Sequence, residues 1–299
     1  MSSILVAAAR PRTVLRDYAT LTKPKVQSLL LFTTVTTMLV AGTPSFGLIL
    51  LTCVGGALSA GGAGAVNHYY DRDIDKLMSR TATRPVPSGR VSPGAALAFG
   101  ISLQVASFLL LSLFVNVLAA SLALSGFLGY VFVYTLWLKR STPQNIVIGG
   151  AAGAVPPLVA WAATTGSLSW SAVYLFAIVF YWTPPHFWAL SLLMKDEYAK
   201  AGVPMMPVVR GEDETRRQIV LYTGLLFLVT QLPVCGGLLG AFYMVVAAVL
   251  SAAFGVGAVA LQRSRERRPA LRLYLFSLAY LALLFGAMVI DARLFTPIV

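Results

Sequence analysis

Charged side chains are scarce in this sequence. They make up 11% of its 299 residues, where a soluble domain carries roughly 25%. With 58% hydrophobic residues, that deficit excludes an ordinary soluble domain and places the chain in the membrane class. Cysteine is nearly absent. Cys53 and Cys235 lie in separate apolar segments with no CxxC spacing, which excludes a disulfide framework and a zinc site and leaves both as expected packing residues. Only two histidines occur, His68 and His186. No cleavable signal peptide is expected either, because the apolar run at 4–9 is too short and runs into Arg10, Arg12 and Arg16. Those arginines suit a mitochondrial presequence less well, given Asp17 and the short length.

Proline and glycine, in contrast, are plentiful, as membrane helices tolerate. The net charge of +12 would suggest nucleic acid in a soluble protein. Here the charges stand between apolar stretches, so no nucleic-acid partner is expected; they read as topology signals and as contacts to phosphate or to lipid headgroups. A membrane helix needs about 20 mostly apolar residues. Nine stretches qualify, at about 26–43, 47–66, 93–113, 116–138, 146–164, 171–194, 218–238, 240–261 and 271–290. Pro156-Pro157 interrupts the fifth, a break that neighbouring helices can resatisfy. The expected fold is therefore all-α, a polytopic transmembrane bundle of about nine helices, with a cytoplasmic N-terminal segment at 1–25 and one transmembrane domain at 26–299.

With nine helices, every Lys and Arg except Arg293 falls on one side, as does every acid except Asp291. A wrong helix count would scramble that alternation. The positive-inside rule then puts the N-terminus and the charged loops in the cytoplasm and the C-terminus outside. A bacterial plasma membrane is favoured over a mitochondrial inner membrane by the brief N-terminus and compact loops. One face is thus chemically equipped, whereas the opposite loops near 114–116, 165–170 and 238–240 are short and uncharged. A transporter would carry polar groups across its depth, and these helix interiors carry almost none.

The stretch Asn67-His-Tyr-Tyr-Asp71-Arg-Asp73-Ile-Asp75-Lys76 begins at the cytoplasmic end of the second helix. Asn67, Asp71 and Asp75 are spaced i, i+4, i+8 and share one helix face. A solvated, salt-bridged helix end would also carry such charges, but like charges one turn apart destabilise a helix and ask for a cation. Mg²⁺ suits three oxygen-bearing side chains, with water and a substrate phosphate completing its shell. Asp73 falls off the stripe and reads as a solvent or outer contact. Arg80 and Arg84 follow, one turn apart if helical, with guanidinium forks suited to phosphate. The sixth helix carries Thr183-Pro-Pro-His186-Phe-Trp188 and is followed by Lys195-Asp196-Glu-Tyr-Ala-Lys200-Ala-Gly-Val-Pro-Met-Met-Pro207. An even number of helices separates the two acidic stretches, so they share a membrane face with Lys139 and Arg140.

These features together resemble the UbiA superfamily of intramembrane prenyltransferases. The Arg80-Thr-Ala-Thr-Arg84-Pro string, Thr183-Pro-Pro-His186-Phe-Trp188 and the Ala201-Gly-Val-Pro-Met-Met-Pro207 ending resemble its haem O synthase branch, over nearly the whole chain. The resemblance implies transfer of a farnesyl group from farnesyl diphosphate to a vinyl group of haem B, with addition of water. It implies Mg²⁺, or Mn²⁺, as cofactor and haem B as substrate. Asn67, Asp71, Asp75 and Asp196 would hold metal, with Arg80 and Arg84 in the catalytic set. Lys139, Arg140, Lys200, Tyr134, His186 and His68 would contact substrate, a histidine being a common haem ligand. His68 is rotated about 100° from Asn67. Tyr70, Tyr134, Tyr181, Trp182 and Trp188 offer aromatic faces to an allylic cation. A downstream haem-modifying enzyme would receive the product. One departure stands out: Lys200 occupies the second position of a motif that usually reads DxxxD, so the sequence leaves open one metal ion or two. The same chemistry on a quinone precursor or chlorin is the nearest alternative. A haem transporter or a nonenzymatic assembly factor would leave the Asn67 stripe without a purpose.

Overall fold

The computed structural model describes residues 11–295; the apolar run at 4–9, Arg10 and the side chain of Arg12 lie outside the described residues. A short helix α1 (Pro11–Leu21) turns into α2 (Pro24–Ala41). Helix α3 (Phe46–Tyr70) ends at Asp71, where α4 (Arg72–Leu77) begins. An irregular loop leads to α5 (Pro93–Phe114) and α6 (Val117–Leu128). The latter continues as a π-helix (Gly129–Leu138) into α7 (Lys139–Ser141). Helices α8 (Asn145–Gly153) and α9 (Val155–Thr165) make one broken span, followed by α10 (Trp170–Leu193). The next connection holds α11 (Lys195–Lys200) and α12 (Met206–Val209). Helices α13 (Gly211–Val229), α14 (Leu232–Cys235), α15 (Ala241–Arg263) and α16 (Arg267–Leu294) follow, and no strand occurs among the described residues.

Eight helical stretches are long and apolar enough to cross a membrane. The ninth expected span is α10, 24 residues long; Thr183, Pro184, Pro185 and His186 dilute its apolar character. Local chemistry sets the helix starts. Ser45, Ser92 and Asn116 each cap an orphan amide, with Asn116 Oδ1 accepting from Ala119 N at 2.8 Å. Pro24 and Pro93 open α2 and α5, where a missing N–H costs nothing. The fifth span breaks at Ala154, just before Pro156-Pro157. The stretch between the expected sixth and seventh spans, 195–217, is largely helical: α11, α12 and the first turns of α13 occupy much of it, so Glu212, Arg216 and Arg217 stand on a helix. Cys235 is a correction, since it is exposed rather than packed, while Cys53 is half-buried.

Lipid tails are as apolar as leucine, so close packing and hydrogen bonds hold such a bundle together. Large rings fill the half built by α10, α13, α15 and α16, where Trp188, Tyr243, Phe254, Tyr280 and Phe285 are fully buried. Alanines dominate the other half, where α2, α5, α6 and α9 meet through Ala119, Ala120 and Ala160 packed around Met38 and Leu111. Helices α3 and α5 approach closely enough that a Cβ on Gly62 would lie 2.6 Å from Gly100 O. At the equipped end, Leu21 packs with Ala65, Val86, Val91 and Ala96, fixing α1 and the 78–92 loop onto α3 and α5. At the other end, buried Asp291 of α16 accepts from Gly240 N at 2.7 Å and Tyr243 N at 2.8 Å. It caps α15 from a neighbouring helix, which accounts for the one acid expected on that side.

Candidate active site

The last turn of α3 carries Asn67 and His68, both buried. The helix stops at Tyr70, yet the hydrogen-bond register passes through the junction: Asp75 N donates to Asp71 O at 2.8 Å. Asn67, Asp71 and Asp75 therefore stay on one face, Asp71 at 0% exposure and Asp75 at 2%. Asn67 Nδ2 donates to Asp71 Oδ2 at 2.7 Å and to Thr135 Oγ1 at 3.1 Å.

Each member of this stripe faces a cation. Lys23 Nζ donates to Asn67 Oδ1 at 2.6 Å. Lys139 pairs with Asp71 Oδ2, and Arg84 Nη1 pairs with Asp75 Oδ2 at 2.7 Å. Two backbone features, one in a loop and one in a helix, aim these groups. Thr81 Oγ1 donates to Asp75 O at 2.9 Å and ties the arginine loop to α4. The π-helix adds a residue per turn, and the amide of Lys139 reaches back to Tyr134 O. Thr135 Oγ1 likewise donates to Tyr130 O five residues back, at 2.9 Å. Tyr130, Thr135 and Lys139 thus share the side facing Asn67. Burial, and after it Arg84, lowers Lys23 to about 8.

Around the stripe, Arg140 forks onto exposed Asp73 with two bonds of 2.7 Å, which lower the Asp73 carboxyl to about 2. Asp73 is an outer contact, as its place off the stripe implies. Arg140 also stands 3.8 Å from Asp71 Oδ1. Arg80 meets the Tyr198 hydroxyl; burial raises that phenol against the opposing pull of Arg80. Tyr134 packs beside Ile146 and Ile74, where Gly149 lets its ring come close. Glu197 accepts from Ser79, so α11 meets the arginine loop through Glu197 and Tyr198. Asp196 stands elsewhere. It lines a cavity of about 170 Å³ with Lys195, Glu212, Arg216 and Arg265, and among the described residues it makes no hydrogen bond or ion pair with the Asn67 stripe. Lys200 is exposed.

His186 lies in the other half of the bundle, between α10 and α16. Its ring stacks on Trp182 at 4.4 Å and on Tyr274 at 4.9 Å, and its Nδ1 is 2.6 Å from Ser277 Oγ. The Ser277 hydroxyl donates to Tyr274 O at 2.6 Å. It therefore accepts from Nδ1–H, which leaves Nε2 with a free lone pair. Pro184 and Pro185 supply no N–H to the helix, and Thr183 Oγ1 donates to Val179 O at 2.8 Å. His68 differs, since its buried Nδ1 has no hydrogen-bond partner.

Among the described residues no three carboxylate, imidazole or thiol side chains converge as a metal cluster. The stripe instead offers two carboxylates and an amide, all hard oxygen donors. Asp71 Oδ1 is buried without a hydrogen-bond partner. That donor set fits Mg²⁺, which takes few protein ligands and completes its shell with water and phosphate. Sequence reasoning missed Lys23, Tyr130, Thr135 and Ser277. In the sequence Lys23 reads as one of the topology charges, and the other three carry no signal outside the fold.

Residues 30–284 match the model of the UbiA prenyltransferase family. A protoheme IX farnesyltransferase of Roseiflexus sp. (strain RS-1) is 53% identical over 297 residues, covering 99% of this chain and 55% of that protein. One of Chloroflexus aurantiacus is 55% identical over 94% of this chain and 48% of its own length. The chain thus spans about half the length of these two relatives. A protoheme IX farnesyltransferase of Symbiobacterium thermophilum is 52% identical, covering 96% of this chain and 99% of its own. Among solved structures, a UbiA homolog from Archaeoglobus fulgidus bound to DMAPP and Mg²⁺ aligns with a TM-score of 0.69 at 15% identity, over 91% of this chain and 99% of that one. A structure of digeranylgeranylglyceryl phosphate synthase aligns at 0.77 and 19% identity, over 93% of this chain and 98% of that one. At these identities the structures speak for the fold alone.

Proposed function

The chain belongs to the UbiA prenyltransferase family, and on that premise we propose that it transfers a farnesyl group from farnesyl diphosphate to a vinyl group of haem B. The observation that carries this reading is the buried stripe of Asn67, Asp71 and Asp75, with Lys23, Lys139 and Arg84 bonded to it. Asn67, Asp71 and Asp75 would hold Mg²⁺, or Mn²⁺, which when bound neutralises charge on a leaving diphosphate. Cleavage of the farnesyl C1–O bond sends its electron pair to the diphosphate. Arg84, Lys139 and, from the loop, Arg80 would stabilise that charge as it grows. The vinyl group attacks C1, water adds to the resulting cation, and a proton is lost. Tyr130 and Tyr134, whose rings lie 5.4 Å apart, offer π-faces near the stripe to the allylic fragment. The haem acceptor is supported by His186, whose Nε2 is left to meet iron while Ser277 holds Nδ1, and by the names of the relatives. We assign Asp196, Lys200 and His68 no step, since none is bonded to the stripe.

Purified protein incubated with haem B, farnesyl diphosphate and Mg²⁺ should yield haem carrying one farnesyl and one water, read by mass spectrometry. Asp71→Asn should lose at least ~100-fold in rate, the scale of removing one electrostatic stabiliser, while remaining folded. Turnover by Asp71→Asn at the wild-type rate would remove the stripe from the mechanism. Diphosphate release with other acceptors and none with haem would overturn the acceptor alone.

A further inference from the structure

Lys23 is a cation with only neutral partners. Its ammonium bonds to Asn67 Oδ1 and to Tyr130 OH at 3.2 Å and lies 5.6 Å from the Tyr130 ring centre. Among the described residues no carboxylate lies within ion-pair distance of it, whereas Lys139 and Arg84 are bonded to Asp71 and Asp75. The backbone is bent to aim it: Lys23 has φ 55°, the one non-glycine residue with positive φ among those described. Left-handed backbone is unfavourable for a side chain of this size. The turn carrying it is pressed onto glycines of α3, where a Cβ on Gly64 would come 2.9 Å from Leu21 O. A cation drawn into a site at this conformational cost, where the nearby carboxylates of Asp71 and Asp75 are already bonded to Lys139 and Arg84, points to an anionic ligand.

The local charge agrees. Two carboxylates on the stripe face three bonded cations, an excess of one positive charge. A divalent metal would raise the excess to three, and a prenyl diphosphate carries about three negative charges. Resting on the reading of the stripe given above, we propose that Lys23 is a diphosphate-binding residue. It is bonded to Asn67 in this structure and would pass to a diphosphate oxygen when metal and substrate bind, leaving the Asn67 oxygen to the metal. Lys139 and Arg84 make the same exchange from Asp71 and Asp75. The alternative, that Lys23 only pins the α1–α2 turn, predicts a different result.

Calorimetric titration of the full-length protein in detergent separates the two, with Mg²⁺ alone and with inorganic pyrophosphate in saturating Mg²⁺ as probes. Lys23→Gln removes the charge and keeps a polar side chain one bond shorter, and Lys23→Arg keeps the charge while changing the hydrogen-bond geometry at Asn67. We expect pyrophosphate affinity to fall at least ~10-fold, the scale of one hydrogen bond to a charged group, with Mg²⁺ alone binding as tightly as in wild type or more tightly. Lys23→Arg should keep most of the pyrophosphate affinity. Unchanged pyrophosphate binding in Lys23→Gln, or parallel losses of both ligands, overturns the exchange. Should Lys23→Gln fail to fold, loss of pyrophosphate binding in folded Lys23→Arg overturns it instead. A wild-type protein that binds no Mg²⁺-pyrophosphate brings down the reading of the stripe as well.

Discussion

His186 shows how much a single hydrogen bond decides. With Nδ1 donating to Ser277, the ring presents Nε2 in the neutral form that binds iron. Trp182 Nε1 donates to Ser277 O at 2.8 Å, so the same residue anchors the stacked ring below. We predict that His186→Ala weakens haem binding, followed by the Soret band, by ~10-fold or more while pyrophosphate binding stays at the wild-type level. Ser277→Ala should give a smaller haem defect through loss of ring orientation, on the scale of an outer-shell partner. Equal losses of both ligands in His186→Ala would reduce the histidine to packing. At this scale, spacing made the Asn67, Asp71 and Asp75 face legible, because i, i+4, i+8 is a property of any helix. It hid Lys23, which lies 44 residues from Asn67. Its partnership exists only because α1 and α2 fold back over the end of α3. The shared surface expected for Asp196 rested on helix parity, which fixes a membrane face but not a position on it.

Helix packing carries the geometry of the site from one element to the next. The α3–α5 contact ends one residue short of Asn67, since a Cβ on Gly100 would lie 2.7 Å from Val66 Cγ2 and 2.8 Å from Gly62 O. A methyl group there must separate the two helices or twist Val66, and with it the stripe. Gly100→Ala should therefore lower stability by about 1–3 kcal/mol, the usual cost of overpacking, read as a fall in thermal midpoint in detergent. A wild-type midpoint would mean that the helices slide apart freely. Helix starts were legible from Ser, Asn and Pro at their ends. The π-helix was not. Its residues, Gly129 to Leu138, are apolar throughout, and such a run fits either helical period. Yet the extra residue per turn is what brings Thr135 and Lys139 round to Asn67 and Asp71. Nor did the sequence mark α11 and α12, whose few residues give too short a period to read.

Across the whole molecule, chemistry is gathered at one end. The stripe, the arginine loop, α4 and α11 stand there, while Asp291, Gly240 and Arg293, which donates to Gly42 O, close the other end. Apolar length and the alternation of basic segments sufficed to place the spans, because a bilayer thickness constrains both. Even α10, diluted by its Pro-Pro-His string, stands within a residue of its expected place. The same charge asymmetry predicts that the stripe faces the cytoplasm. Cys235 can report on it, being exposed at the end of α14, away from the stripe. In a Cys53→Ser background, a membrane-impermeant maleimide should label Cys235 in intact cells. A cysteine in the arginine loop, Ser88→Cys with Cys235 also replaced by Ser, should react only after permeabilisation. The reverse pattern would invert the protein. Farnesyl diphosphate would then have to reach the stripe from outside, and the reading of the basic segments as cytoplasmic would fall with it.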